Sequence, residues 1–255
     1  DCYERAVAQF ERLGEIEFGS AARVNWAQAA QRAGDPAAAE SEYLAVYRHR
    51  KAAPRARGLS TICLNLASLY AQLGDYGSAL RYSREAIDVA EALQSNGDVV
   101  RAMRVHADSL LEIGDRSRAE SYLQTAAKLA ANDPPILAGI LADRADLSLA
   151  PADALKLHAA ARDMFARANS IAGAMQQSLA YARKAIELGD VGMADQELAR
   201  ISPSIASADL VRQATYSLAR AELAFARGDA VDGKVFDLPL ERFAELRDRQ
   251  MQGQA

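Results

Sequence analysis

Apolar and small residues recur at helical spacing through most of the chain. The clearest stretch runs from Leu66 to Ile87, LASLYAQLGDYGSALRYSREAI. Leu66, Ala67 and Tyr70 precede a Gly74-Asp75 pair, and Ala79 and Ala86 follow it. This pattern predicts two helices joined by a tight turn, with the glycine ending the first. Gly-Asp recurs at Gly34-Asp35, Gly114-Asp115, Gly189-Asp190 and Gly228-Asp229, so successive pairs lie 40, 40, 75 and 39 residues apart. The 75-residue interval divides into 35 and 40 around a degenerate turn at Leu149-Ala150-Pro151, which gives six units.

The units align residue by residue. Seven positions before each turn stands an alanine: Ala27, Ala67, Ala107, Ala142, Ala182 and Ala221. Four positions after each turn stands another small residue: Ala39, Ala79, Ala119, Ala154, Ala194 and Gly233. Alanine on facing surfaces lets two helix backbones approach closely, while larger residues such as Tyr43, Leu66 and Leu123 fill the flanking grooves. One hairpin cannot bury its apolar face alone, whereas stacked neighbours can. About thirteen or fourteen helices and no sheet are expected, with the weakest unit at the turn that lacks glycine.

These residues resemble the tetratricopeptide repeat. Leu66, Ala67, Tyr70, Gly74, Asp75, Tyr76, Ala79 and Ala86 match that family's pattern in the best unit. The resemblance implies an all-α fold, a right-handed α-solenoid of stacked antiparallel helical hairpins forming a single domain. A partial repeat would occupy residues 1–19, six repeats 20–233, and a capping helix with a tail 234–255. The family's usual period is shorter, and its closing proline is missing from the long units, so the second helices run on. After Ala86 the apolar pattern continues to Leu93, with a break expected at Asn96-Gly97. Such long repeats are similar to those in regulatory arms of larger signalling proteins.

Composition narrows the function classes. Of 255 residues, 50% are hydrophobic and 25% charged, ordinary for a globular chain. A net charge of -4 gives no global electrostatic case for nucleic acid. Cys2 and Cys63 form neither a disulfide framework nor a ligand set, so a reducing, cytoplasmic setting is expected. No apolar run approaches a membrane span. The chain opens on Asp1 rather than Met, which reads as a piece of a longer protein.

Candidate chemistry is sparse. His106 and His158 fall at packing positions, which reads as structural burial, and Cys63 reads as an apolar filler. No metal-ligand spacing or phosphate loop is present, so neither a cofactor nor a metal is expected. One basic cluster, RHRKAAPRAR, holds Arg48, Arg50, Lys51, Arg55 and Arg57 and reads as an exposed loop between units. A nucleic-acid adaptor using it is the weaker alternative, because one cluster on an acidic chain is a small footprint.

The family's first helices line a groove, so the resemblance implies where a partner binds. Register places Ser68, Asp108, Asp143 and Arg183 in one row, with Gln28 and Glu222 at its ends. Leu64, Arg104 and Leu179 belong to a second row, and Arg101, Gln176 and Thr215 to a third. Arg101, Arg104, Asp108 and Asp143 would form a polar centre flanked by Leu64 and Leu179. The lysine-rich carboxylate clamp of the chaperone-binding members is absent; Asn25 and Asn65 echo it without the lysines. The reading is a non-enzymatic protein- or peptide-binding module, the sensing arm of a larger regulator. The alternatives are an arm that docks on a flanking effector domain of the same chain, the nucleic-acid adaptor, and an enzyme with an unrecognised groove site.

Overall fold

The computed structural model of the chain describes residues 2–52 and 58–229, with Asp237, Glu241 and Ala244. Among them are twelve helices and no strand. The protein divides into two compact units, Asp1–Ala130 and Ala131–Ala255. Unit 1 holds α1 (Cys2–Arg12), α2 (Ile16–Arg32), α3 (Pro36–Lys51), α4 (Leu59–Gln72), α5 (Tyr76–Ala92), α6 (Asn96–Glu112) and α7 (Arg116–Leu129). Unit 2 holds α8 (Pro134–Leu147), α9 (Pro151–Arg167), α10 (Ile171–Glu187), α11 (Val191–Ile205) and α12 (Leu210–Ala226).

Each unit is a stack of antiparallel hairpins, and the fold is all-α, of the hairpin-solenoid class. The hairpins are α2/α3, α4/α5 and α6/α7 in unit 1, and α8/α9 and α10/α11 in unit 2. α1 is a second helix packed on α2, and α12 is a first helix packed on α10 and α11. The second helix expected after α12 and the capping stripe of Leu240, Phe243 and Leu246 lie outside the described residues.

The Gly-Asp signature has two physical parts. Gly34, Gly74, Gly114 and Gly189 take φ between 75° and 82°, the left-handed conformation that ends a helix. A Cβ at Gly74 would meet nothing within 4 Å, so backbone conformation rather than space demands glycine there. The aspartate then caps the next helix. Asp35, Asp75, Asp115 and Asp190 accept the backbone N–H of Ala38, Ser78, Arg118 and Met193 at 2.9–3.0 Å. These bonds hold the Asp75 and Asp115 carboxyls below the usual carboxylate range.

The register alanines are buried throughout. Ala27, Ala67, Ala107 and Ala182 before the turns, and Ala39, Ala79, Ala119, Ala154 and Ala194 after them, are all 0% exposed. Each sits where two helices approach too closely for a larger side chain. Tyr43, Leu66, Leu123 and Leu198 fill the spaces beside them.

One junction departs from expectation. The Asn96-Gly97 pair does not break the chain; it forms the first turn of α6. The break falls two residues earlier, where Gln94 takes φ 55° and Ser95 precedes the new helix. Asn169 does the same with φ 56° between α9 and α10. At α8/α9 the turn has neither device: Ser148 is extended, and Ala150 offers α9 no side-chain cap.

Candidate binding surfaces

The groove positions lie on first helices, and each unit presents its own. In unit 1, Ser68 on α4 is half-buried. On α6, Arg101 and Asp108 are exposed and Arg104 is half-buried. Their spacings of three and four residues bring the three onto one face. Arg101 pairs with Asp98, one turn earlier, at 3.1 Å. In unit 2, Asp143 on α8 is half-buried and Arg183 on α10 is exposed. Arg183 grips Glu222 of α12 with two bonds, from Nε at 3.0 Å and Nη2 at 3.1 Å.

Leu64 and Leu179 are mostly buried rather than open surface flanks, and only Leu179 reaches a concave surface, the depression between α10 and α12. Leu64 is 5% exposed and Leu179 3%. Leu179 packs in the core of unit 2 with Met175, Ala182, Leu198 and Leu223. The cause is geometric: α4 contacts α3, α5 and α6, and α10 contacts α9, α11 and α12. A helix with three neighbours buries most of its circumference, so little of it faces outward.

The surface of unit 2 is concave between the parallel first helices α10 and α12. A depression of about 400 Å³ opens there, lined by Gln176, Leu179, Ala180 and Arg183 from α10 and by Asp209, Val211, Arg212 and Thr215 at the start of α12. Register had brought Gln176, Leu179, Arg183 and Thr215 together. Asp209, Val211 and Arg212 carried no signal in the sequence, since they belong to the entry of α12, before its first aligned groove position.

The candidate chemical groups are packed away. His106 lies in unit 1 with Nδ1 2.8 Å from the Ser83 hydroxyl, which donates to the Ala79 carbonyl at 2.7 Å. Burial, with Arg84 and Arg118 nearby, lowers its imidazole to about 4, so it is neutral at pH 7. His158 in unit 2 is 2% exposed, with Nδ1 2.9 Å from Gln177 Oε1. Burial pushes the Cys63 thiol up to about 12, which leaves it unreactive at neutral pH. No cluster of three or more metal-ligating side chains occurs among the described residues.

A family model of the tetratricopeptide repeat matches residues 17–92 and 55–132. Residues 17–132 are tetratricopeptide repeats. No curated protein matches the sequence. Among solved structures, BtubC (BKLC) from P. vanneervenii is similar with a TM-score of 0.70 at 18% identity, over 81% of this chain and 89% of that one. A Rap protein complexed with Competence and Sporulation Factor gives 0.73 at 16% identity, over 94% and 69%. The Rap conjugation gene regulator of plasmid pLS20, in complex with the Phr* peptide, gives 0.66 at 13%, over 93% and 65%. At these identities the likeness is one of fold.

Repeat geometry also revises the basic cluster. Arg48, Arg50 and Lys51 belong to the last turn of α3, not to a loop, because no proline ends this repeat's second helix early. Cations there complement the helix dipole. Arg50 reaches Glu17 at 2.6 Å and is only 16% exposed. Lys51 donates to the Tyr47 hydroxyl at 2.5 Å and meets Glu85 at 3.0 Å, and these bonds raise its ammonium pKa. Two of the five cations are thus paired with acids of the same chain. Arg55 and Arg57 lie outside the described residues. No helix among the described residues is long and apolar enough to cross a membrane.

Proposed function

We propose that the protein is a non-enzymatic interaction module that binds a peptide, or a segment of another domain, on the exposed faces of its first helices. It would serve as the sensing arm of a larger regulatory protein. The observation that carries this reading is the depression between α10 and α12, an open concavity that combines an apolar floor with exposed polar groups. Such a surface can hold a side chain and orient a backbone. The buried state of His106, His158 and Cys63 leaves these groups to packing rather than to substrate. The peptide in the similar pLS20 regulator structure supports a peptide as the class of partner.

Mechanistically, a ligand that fits one curvature of the stack better would shift the population toward it. Panning a random twelve-residue peptide library on the whole protein tests the reading. Peptides that bind saturably, and that are lost when Thr215→Trp fills the depression, are the expected result. Absence of saturable binders, or binders indifferent both to Thr215→Trp and to charge reversal on α6, would overturn it.

A further inference from the structure

We infer that the depression of unit 2 takes an extended segment with an apolar side chain between two acidic ones. The inference rests on the binding reading above and names its ligand. Leu179, Ala180 and Val211 give the lining its apolar part, and Arg183 and Arg212 stand along it.

Hydrogen-bond accounting sets the polarity of the ligand. Arg183 spends Nε and Nη2 on Glu222, and its Nη1 has no partner among the described residues. Arg212 spends Nη1 on the Asp209 carboxylate and Nε on the Ala172 carbonyl at 3.2 Å, which leaves Nη2. Asp209, the one acid in the lining, has both oxygens engaged, one by the Arg212 backbone N–H at 2.9 Å and the other by its guanidinium. Thr215 donates to the Val211 carbonyl at 2.8 Å. The lining therefore offers spare donors, while its charges balance once Glu222 is counted: Arg183 and Arg212 stand against Glu222 and Asp209. Carboxylates suit spare guanidinium donors. The existing ion pairs are partly exposed, and such pairs contribute little, so sharing them with a ligand costs little.

Register sets the spacing. Arg212 aligns with Gly173 across the 39-residue repeat, so the two arginines are ten residues apart along parallel helices. At about 1.5 Å per residue this is roughly 15 Å. An extended chain covers that distance in about four to five residues at ~3.3 Å each. Acid, spacer, apolar, spacer, acid is the sequence that fits.

A seven-residue random library panned on the whole protein tests this. The enriched peptides should carry Asp or Glu on both sides of an apolar residue. Changing those acids to amides in a synthetic, fluorescein-labelled copy should weaken binding at least tenfold in anisotropy titrations. Arg183→Gln and Arg212→Gln should each weaken the unaltered peptide several-fold while circular dichroism stays unchanged. Because the amide peptides leave the protein untouched, a misfolded variant cannot decide the matter. Neutral or basic peptides that Thr215→Trp abolishes would overturn this inference and leave the binding reading standing. Acidic peptides indifferent to both arginines would overturn it as well. No binders at all would remove both.

Discussion

The α4/α5 hairpin of unit 1 and the α8/α9 hairpin of unit 2 share a register but differ in how they are held. The first has Gly74 at φ 75° and the Asp75 cap, and aromatic side chains surround it. Tyr82 stacks on Tyr70 at 5.5 Å, meets the edge of Tyr47 at 5.4 Å, and carries the Arg81 guanidinium 4.2 Å from its ring centre. The second has no glycine turn and no side-chain cap, and His158 occupies the core position held by small Ser83 in the first hairpin and by Leu123 and Leu198 elsewhere. Its neighbours in unit 2 are tied by ion pairs, such as Arg162 with Glu197 at 3.0 Å. Shared small residues thus define the hairpin, while the groups between hairpins vary. In unit 1 the rings of Tyr47, Tyr70 and Tyr82 pack between hairpins, and in unit 2 a depression opens between α10 and α12.

The largest effect that would break this comparison is acid sensitivity. His106 titrates at about 4 in the fold and near 6.5 when unfolded. Between these values the unfolded state binds a proton that the folded state does not. Stability should therefore fall as pH drops from about 6.5 to about 4 and then level off with respect to this group, a loss on the order of 3 kcal/mol. His106→Leu, matching Leu66 one repeat earlier, should flatten that part of a urea-midpoint profile. An unchanged slope would mean that the histidine is not desolvated.

Packing comes next. Ala79→Leu should cost roughly 1–3 kcal/mol through overpacking, because Ala79 is fully buried between close helices. Ala154→Leu, at the matching position beside the uncapped turn, should cost less, since α8 and α9 can part more easily. Equal losses in urea denaturation would show that the turn does not govern how tightly a hairpin holds.

What was legible in the sequence follows the same line. The alanine register and the Gly-Asp turns were readable because close approach and left-handed backbone each admit few residue types. The left-handed Gln94 was not, because a residue other than glycine in that conformation leaves no compositional mark; Asn96-Gly97 looked like the break and became the start of α6. Of the groove positions, Arg101, Arg104 and Asp108 share a face of α6 as spacing implied. Leu64 turned inward and Leu179 is left with only an edge at the depression, because periodicity gives a face but not the number of neighbours that cover it.

The exposed surfaces of the two units can be compared directly. Arg101→Glu with Arg104→Glu should leave the free energy of unfolding in urea within about 0.5 kcal/mol, since both residues lie on the outer face of α6 and partly exposed ion pairs contribute little. It should weaken at least tenfold, about 1.4 kcal/mol, a subset of the panned twelve-residue peptides. Arg183→Gln should weaken a different subset. If every peptide responds only to the unit 2 substitution, the α6 face is a solvated surface and binding belongs to the depression.

The smallest effect is also the most local. Ala150 has φ -92° and ψ 106°, an extended backbone that an N-capping residue can adopt. At the other hairpin turns an aspartate in this place accepts an N–H of the following first turn, as Asp75 does from Ser78 at 3.0 Å. Ala150→Asp supplies that acceptor to α9, and it sets a negative charge at the helix N-terminus. A gain of about 0.5–1 kcal/mol is expected, with Asp75→Ala losing a similar amount from α5. Amide exchange read by mass spectrometry separates the two units: Ala150→Asp should slow exchange at the start of α9 and leave α4 and α5 unchanged. Should the gain be missing while Asp75→Ala still costs its share, the α8/α9 hairpin would be governed by its core, where His158 meets Gln177 of α10, rather than by its turn.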